Sequence, residues 1–386
     1  VLTAADSDVL HARVRAFVDA SLRGATGTAP PEPFDALALD LARFQAATVP
    51  PFARLLRARD VDLSAARSAS AIPAVPTDVF RLARVAAHPP EQDAALFRTS
   101  GTTAGAELRG AHPFRTTETY ARAALGWGER FLWPDGAALG VMVLAAPSSA
   151  QPDSSLGFML DRFARALAGP ATFHLHVEGG EGRLDLDGIE RAAESARAAG
   201  RATLVLATSF ALVHLLDQSE GRALHLPAGS RVMQTGGFKG KGREVPPEAL
   251  GDMVARAFGV PRDHIVGEYG MTELSSQLYE GTLVASLAGR APSRHGVYHA
   301  PPWVRVEAVD PVSLLPVPQG EIGIARIVDL ANVDSVVAVQ TADRVRVVAD
   351  EGGSHPSGGA IELLGRLPGA PPRGCSIAVD EMLGRA

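Results

Sequence analysis

Gly140-Val-Met-Val-Leu-Ala145 and Ala202-Thr-Leu-Val-Leu-Ala-Thr208 decide the fold class. Each is a nearly continuous apolar run of strand length. A strand with one face in water alternates apolar and polar positions, whereas a run without that alternation marks a strand buried on both faces, as in a parallel sheet covered by helices. The stretches around them fit: Leu156 to Leu167 and Leu184 to Ala199 carry helical spacing, and a third apolar run covers Ala171 to Val177. Further on, a strand over Arg231 to Gln234 ends at Gly236-Gly237, and a helix near Pro247 to Phe258 leads to Ile265-Val266. Strands alternating with helices predict an α/β core with largely parallel strands. Ligands in such sheets sit beyond the strand ends, where the turns at Gly236 and after Val266 fall.

The flanks have other textures. Residues 6 to 24 and 34 to 60 place apolar residues at helical spacing, with Pro50-Pro51 interrupting the second stretch, and Gly24 to Pro33 reads as a loop. After Gly289 short alternating segments follow, Trp303 to Val309, Gly323 to Val328, Ser335 to Thr341, Val345 to Val348 and Ile361 to Leu364, which predict antiparallel strands or a small barrel-like subdomain. The expected organisation is an α/β core with a helical amino-terminal portion over 1–290, a β-rich subdomain of that core over 291–364, and a short carboxyl-terminal segment over 365–386.

With 386 residues, 46% hydrophobic and 21% charged, the chain is long enough to bury a substantial core. A net charge of −6, with arginines interspersed among acids, argues against nucleic acid or an anionic membrane as the main partner. No run approaches the roughly 20 apolar residues of a membrane span, and no basic stretch precedes an apolar one at the amino terminus. Cys375 is the only cysteine, so an intrachain disulfide and a thiolate metal site are both excluded, and a reducing cytoplasm is the expected location.

Two motifs carry the chemistry. Thr99-Ser100-Gly101-Thr102-Thr103, followed by Ala104 and Gly105, concentrates hydroxyls and glycines. Backbone N–H groups and hydroxyls that approach closely are what a triphosphate needs, although an ordinary polar turn has the same composition. No G-x-x-x-x-G-K-[ST] sequence occurs, and Gly236 to Gly242 has lysines at the wrong spacing for one. Gly267-Glu268-Tyr269-Gly270-Met271-Thr272-Glu273 offers an aromatic face for adenine, a hydroxyl for the α-phosphate and a carboxylate for Mg²⁺. Together the pair points to ATP; alone, the second is a surface turn with a buried tyrosine.

Thr99 to Thr103 resembles the phosphate loop of the adenylate-forming superfamily, and Tyr269-Gly-Met-Thr-Glu273 its Y-G-x-T-E motif. Val75-Pro-Thr-Asp-Val-Phe-Arg81, Phe97 to Thr103, Ser154-Ser-Leu-Gly-Phe-Met159, Gly236-Gly-Phe-Lys-Gly-Lys-Gly242, Asp329-Leu-Ala-Asn332, and Gly365-Arg366 through Arg373-Gly-Cys-Ser376 resemble the acyl-protein synthetase (LuxE-type) branch, from about residue 34 onward. That branch supplies activated fatty acid to a reductase in bacterial bioluminescence. The resemblance implies an adenylate-forming fold and a two-step reaction, in which a carboxylate attacks ATP to give acyl-adenylate and pyrophosphate and a thiol then takes the acyl group. It implies that the hydroxyl loop grips the β- and γ-phosphates, that Gly236 and Gly237 border adenine, and that Glu273 carries Mg²⁺. Asp343 matches the aspartate that accepts from the ribose hydroxyls, with Ala342 where the family usually has glycine, and Arg366 matches the arginine at the junction with the carboxyl-terminal piece.

Cys375 lies where the branch carries its acylated cysteine. A thiolate attacks a mixed anhydride readily, and Arg373 nearby would lower the thiol pKa; a lone cysteine is otherwise a small packing residue. Larger relatives have a further domain whose lysine meets the reacting carboxylate, and no lysine follows Lys241 here. Transition-state charge is then expected to fall to Mg²⁺, Lys239 or Lys241, arginines and backbone donors. The expected final acceptor is a protein, a carrier protein or coenzyme A. An acyl- or aryl-CoA ligase that leaves Cys375 idle, and a nucleotide-binding scaffold without catalysis, are the alternatives.

Other features have plainer explanations. His174 and His176 lie two apart on an expected strand, on one side of it, with no third ligand nearby. Ser154 before Leu156 reads as a helix cap. Tyr298-His-Ala-Pro-Pro-Trp303 reads as packing around a proline turn, with the wall of an acyl pocket as the alternative.

Overall fold

The computed structural model describes residues 4–23, 29–99, 109–167, 169–178, 181–219, 222–236, 245–349, 358–368 and 373–384. In chain order the elements are α1 (Ala4–Leu22), α2 (Phe34–Thr48), α3 (Pro50–Ala58), β1 (Val75–Pro76), α4 (Val79–Leu82), β2 (Ala95–Arg98), β3 (Ala111–Phe114), α5 (Glu118–Leu132), β4 (Gly140–Leu144), α6 (Ser155–Ala166), β5 (Ala171–Phe173), β6 (Leu175–Glu178), β7 (Glu181–Leu184) and α7 (Leu186–Ala198). Then follow β8 (Thr203–Thr208), α8 (Ser209–Gln218), β9 (Arg231–Thr235), α9 (Pro247–Phe258), β10 (Ile265–Tyr269), β11 (Leu278–Glu280), α10 (Thr282–Leu287), β12 (Val297–His299), β13 (Val304–Val309), β14 (Ile322–Asp329), β15 (Ala338–Val348), β16 (Ala360–Arg366) and α11 (Arg373–Leu383). The fold is α/β, and the chain packs as two interleaved units, one of residues 1–124, 271–278 and 296–386, the other of 125–270 and 279–295. The amino-terminal helices therefore group with the late β-rich region by packing, a grouping that sequence texture does not reveal.

In the second unit β10, β9, β8, β4 and β5 lie side by side and parallel. The register sets Met142 beside Val205 and Val205 beside Val232. All three are fully buried in one core with Ile189, Leu212 and Phe258, drawn from helices α7, α8 and α9. Burying each such side chain contributes roughly 1.5–3 kcal/mol, which is why the two apolar runs specify this sheet. Capping residues set the helix starts: Ser154, Asp185 and Thr208 each accept from the backbone N–H three residues on. α9 begins with Pro247 and ends at Gly259, whose φ of 65° is the left-handed value that releases the chain toward β10.

Two expectations are corrected here. Ala171 to Val177 is not one strand: β5 pairs with β4, the chain turns away at buried His174, and β6 pairs antiparallel with β7. Leu184 belongs to β7 and not to the following helix, because the cap at Asp185 sets the helix start after it.

In the first unit β13, β14, β15, β16 and β12 form an antiparallel sheet, with β1 parallel to β15. The two strands expected over Ser335 to Thr341 and Val345 to Val348 are one strand, β15, whose register with β16 shifts between Asp343 and Val345. An irregularity at Asp343 breaks the apolar alternation and mimics a strand end. β2 and β3 form a separate antiparallel hairpin, pairing Phe97 with His112 and Arg98 with Ala111. Among the described residues no helix is long and apolar enough to cross a membrane.

Candidate functional site

Within the first unit, the hydroxyl loop grows from the β2–β3 hairpin. Ser100, Gly101, Thr102 and Thr103 lie outside the described residues, but both ends of the loop are defined. Thr99 N–H donates to the Gly110 carbonyl at 2.9 Å, and the Thr99 hydroxyl accepts from Gly110 N–H at 2.9 Å. A Cβ at Gly110 would stand 3.0 Å from the Thr99 methyl, so glycine is what lets the two ends close.

His112, two residues beyond Gly110, carries this hairpin to the second motif. Its Nδ1 lies 2.7 Å from the Thr272 carbonyl and its Nε2 2.9 Å from the Ser335 hydroxyl. A carbonyl only accepts, so Nδ1 holds the proton, and Nε2 accepts from Ser335. Burial against Phe80 and Phe114 holds the imidazole pKa down at about 4, opposed by the Thr272 carbonyl and Asp334, so the ring is neutral at pH 7. Thr99 and Glu273 therefore belong to one neighbourhood.

Glu273 is buried, and its segment is fixed through the backbone. Asn332 Nδ2 donates to the Glu273 carbonyl at 2.9 Å, and Asn332 Oδ1 accepts from the Ser275 hydroxyl at 2.6 Å. Asp329 accepts from Ser275 N–H at 2.9 Å, from the Ser276 hydroxyl at 2.8 Å and from Ala331 N–H at 2.9 Å. Burial pushes the Asp329 carboxyl up to about 6 against the pull of these donors. Trp303, fully buried, donates its indole N–H to Ser276 and so packs against this network.

Asp343 and Arg366 stand opposite each other across β15 and β16, Asp343 half-buried and Arg366 exposed. This cross-strand pairing puts the expected ribose aspartate and junction arginine on adjacent strands.

In the second unit, Gly236 follows β9 with a φ of 69°, and no described residue lies within 4 Å of a would-be Cβ. Ser209, at the start of α8, donates to the Gly236 carbonyl at 2.6 Å. Glu268 on the neighbouring β10 is buried and accepts from the Thr235 hydroxyl; burial pushes its carboxyl up to about 7. Tyr269 is also buried, 7% exposed at the end of β10. Gly270, Met271 and Thr272 follow half-buried. Gly237, Lys239, Lys241 and Arg243 lie outside the described residues.

Cys375 departs furthest from expectation. It is 3% exposed on α11 and packs with Val309, Ile324 and Leu314. Burial, and after it the Asp78 carboxylate, push its thiol up to about 11, with Arg59 only partly offsetting them. The lowered pKa expected from Arg373 is thus corrected: an apolar setting outweighs nearby cationic charge.

His174 is buried while the His176 side chain is mostly exposed, and both rings act on the Asp185 carboxylate. Among the described residues no group of three His, Cys, Asp or Glu is placed to hold a metal ion. Glu273, as a single carboxylate, fits a Mg²⁺ held mainly by phosphate oxygens and water. His112, Ser275 and Ser335 went unnoticed in the sequence, and Asn332 entered only as part of a family motif. Their partners lie up to 287 residues away, so no local pattern announces them.

The acyl-protein synthetase (LuxE) family profile matches residues 60–384. The chain belongs to this family. Over 81 residues it is 31% identical to the long-chain-fatty-acid–luciferin-component ligase of Vibrio harveyi, a stretch covering 21% of each chain, so the match spans about a fifth of that relative's length. In fold it is similar to 2-hydroxyisobutyryl-CoA ligase: to its open conformation with a TM-score of 0.60 and 15% identity, covering 86% of this chain and 69% of the other, and to its postadenylation state with 0.61 and 14%, covering 95% and 68%. These likenesses establish an adenylate-forming ligase fold.

Proposed function

We propose that the protein is an acid–thiol ligase: it activates a carboxylic acid, in this family a fatty acid, with ATP, and passes the acyl group to Cys375 and then to a protein or carrier acceptor. The observation that carries this reading is the bond from His112 to the Thr272 carbonyl, which joins the rim of the hydroxyl loop to the segment bearing Glu273 within one unit. Family membership supports the reaction class. The Vibrio harveyi relative is named for a long-chain fatty acid, and the solved 2-hydroxyisobutyryl-CoA ligase is described with an acyl-AMP and coenzyme A.

In this scheme Thr99 and the loop it opens donate to the phosphates, Gly236 borders the base beside Glu268, and Asp343 accepts from the ribose hydroxyls. Glu273, with the phosphates, would hold Mg²⁺, which supplies charge neutralisation as pyrophosphate leaves. Lys239 and Arg366 are assigned to the reacting carboxylate and phosphate on chemical type, as cations that offset developing negative charge. A thiol with a pKa near 11 and 3% exposure does not attack from where it sits, so acyl transfer to Cys375 requires α11 to move. That same burial favours a second reading, a coenzyme A ligase that leaves Cys375 as packing.

ATP–pyrophosphate exchange across a panel of acids tests activation; exchange with one acid class is expected, and exchange with none, despite ATP binding, would leave a nucleotide-binding scaffold. Labelled acid then separates the two ligases: label retained on the protein and lost in Cys375→Ala supports the acyl-protein route, whereas label found only on added coenzyme A overturns it.

A further inference from the structure

Thr272 and Glu273 present consecutive backbone carbonyls, and each is taken by a neutral, buried side chain from a distant part of the chain. His112 Nδ1 takes the first at 2.7 Å and Asn332 Nδ2 the second at 2.9 Å. Two adjacent peptide planes held in this way have little freedom to rotate, so the directions of the Thr272 and Glu273 side chains are set before any ligand arrives. Both clamping residues are tied into one loop. Ser335 donates to His112 Nε2, Ser275 donates to Asn332 Oδ1, and Gln45 on α2 donates to the Asn332 and Val333 carbonyls at 2.7 and 2.9 Å while accepting from Val337 N–H at 2.8 Å. Asp329 takes Ser275 and Ser276 from the other end of the loop.

We propose that His112 and Asn332 are positioning residues for the magnesium nucleotide: acting through the Thr272 and Glu273 carbonyls, they lock the carboxylate-bearing segment to the rim of the hydroxyl loop. This rests on the ligase reading above. Neither side chain touches the ligand. Their geometry instead fixes the separation between Thr99 and Gly110 on one hairpin and the Glu273 segment. His112 makes the link double, because it stands two residues beyond Gly110, which closes the loop, and at the same time ends on Thr272. A substitution at either position should therefore weaken the use of Mg²⁺ with ATP while leaving recognition of the acid unchanged.

Three substitutions separate this from a merely structural role. His112→Phe keeps an aromatic ring and removes both bonds; His112→Asn restores a donor near the Nδ1 position; Asn332→Asp keeps the acceptor for Ser275 and faces the Glu273 carbonyl with a carboxylate. His112→Phe and Asn332→Asp are expected to raise the Mg²⁺ concentration for half-maximal pyrophosphate exchange about tenfold, the scale of one buried hydrogen bond lost. KM for the acid should stay within about twofold, and His112→Asn should recover most of the loss. Equilibrium dialysis of ATP with and without Mg²⁺ gives a readout apart from turnover, in which the Mg²⁺-dependent gain in affinity shrinks in parallel.

Variants that fold with wild-type melting temperature and keep the wild-type Mg²⁺ response overturn the proposal. If both substitutions prevent folding, Ser275→Ala decides, since it removes only the anchor of Asn332: a Mg²⁺ requirement raised about threefold supports the clamp, and an unchanged one overturns it. A wild-type protein that binds no ATP overturns the ligase reading itself, whereas wild-type binding with unaffected variants overturns the positioning role alone.

Discussion

Segment 271–276 and helix α11 both belong to the first unit and both carry a residue assigned to the reaction, yet they are held by opposite means. Glu273 sits in a segment whose backbone and hydroxyls are fixed by Asn332, Asp329, His112 and Trp303. Cys375 sits on a helix that packs on α3 and β1 with Ala378 and Met382 fully buried, touches Val309, Ile324 and Leu314 through Cys375, and is tied by two arginines of α3 and its end, Arg59 to Glu381 at 2.8 Å and Arg54 to the Met382 carbonyl. Buried hydrogen bonds are directional and costly to leave unmade, so the first segment has one arrangement. Apolar contacts and partly buried ion pairs are less directional, so in the proposed scheme the second is the region that would shift. The difference suits the proposed chemistry: a carboxylate proposed to bind metal would work from a fixed position, while a thiol proposed to accept the acyl group would have to reach a mixed anhydride and then carry the product away.

The sharpest way to break the comparison is Cys375→Ala. Stable acyl-protein label from radiolabelled acid should fall below detection, a loss of at least about 100-fold, because no other thiol exists to take the acyl group. Pyrophosphate exchange should stay within about twofold, since activation precedes transfer. Loss of exchange as well would show that the two regions are not separable.

Glu273→Gln probes the fixed side. It keeps the shape and removes the negative charge, so exchange should fall roughly 10²- to 10³-fold, the cost seen when a preorganised electrostatic group is removed. The melting temperature should change little if Asn332 and Asp329 alone hold the segment. Exchange and acylation measured together on the same preparation should fall in proportion.

These two outcomes depend on parts of the molecule that differ in how readily sequence reveals them. The parallel sheet was readable because β4 and β8 must be apolar throughout to be buried on both faces. Helices α6, α7 and α9 were readable because capping residues and Pro247 mark their ends locally. The motifs at Thr99 and Tyr269–Glu273 stood out because close approach to phosphate demands small and hydroxyl residues in sequence. What joins them was not legible: His112 is one histidine in a short strand, and its meaning comes from Thr272, 160 residues away. The burial of Cys375 was equally hidden, since its apolar neighbours come from β13, β14 and the turn between them. Nothing next to it in the chain discloses a pKa near 11.

Glu268 offers a milder test of rigidity, on the parallel-sheet side. Its carboxyl is pushed from the ordinary 4.5 up to about 7 by burial, with only the Thr235 hydroxyl pulling it back. The folded state thus holds its proton to higher pH than the unfolded chain does. The stabilisation is complete below about pH 4.5 and is lost as pH rises through 7. Across that window stability should decline by up to about 1.4 kcal/mol per pH unit from this group, and Glu268→Gln should flatten the decline. Urea unfolding midpoints at pH 5, 6, 7 and 8 for both proteins provide the measurement. Equal slopes in the two would show that the carboxyl is not buried as a proton-holding acid.

The smallest effect concerns how loosely α11 is seated. With a thiol pKa near 11, about one thiol in a thousand is ionised at pH 8, against roughly a quarter for an unperturbed cysteine, so alkylation of the folded protein should run about two orders of magnitude slower than that of the urea-unfolded chain. Glu381→Ala removes the partner of Arg59 without touching the apolar contact around Cys375. The pair is partly buried, with side-chain accessibilities of 26% and 15%, and its loss is expected to cost about 1 kcal/mol, or a fivefold rise in the labelling rate. A rise of that size with unchanged pyrophosphate exchange means that the helix opens independently of the clamped segment. A rise accompanied by weaker exchange means that α11 and the Glu273 segment move together, and the contrast between a fixed and a displaceable region then gives way to a single coupled one.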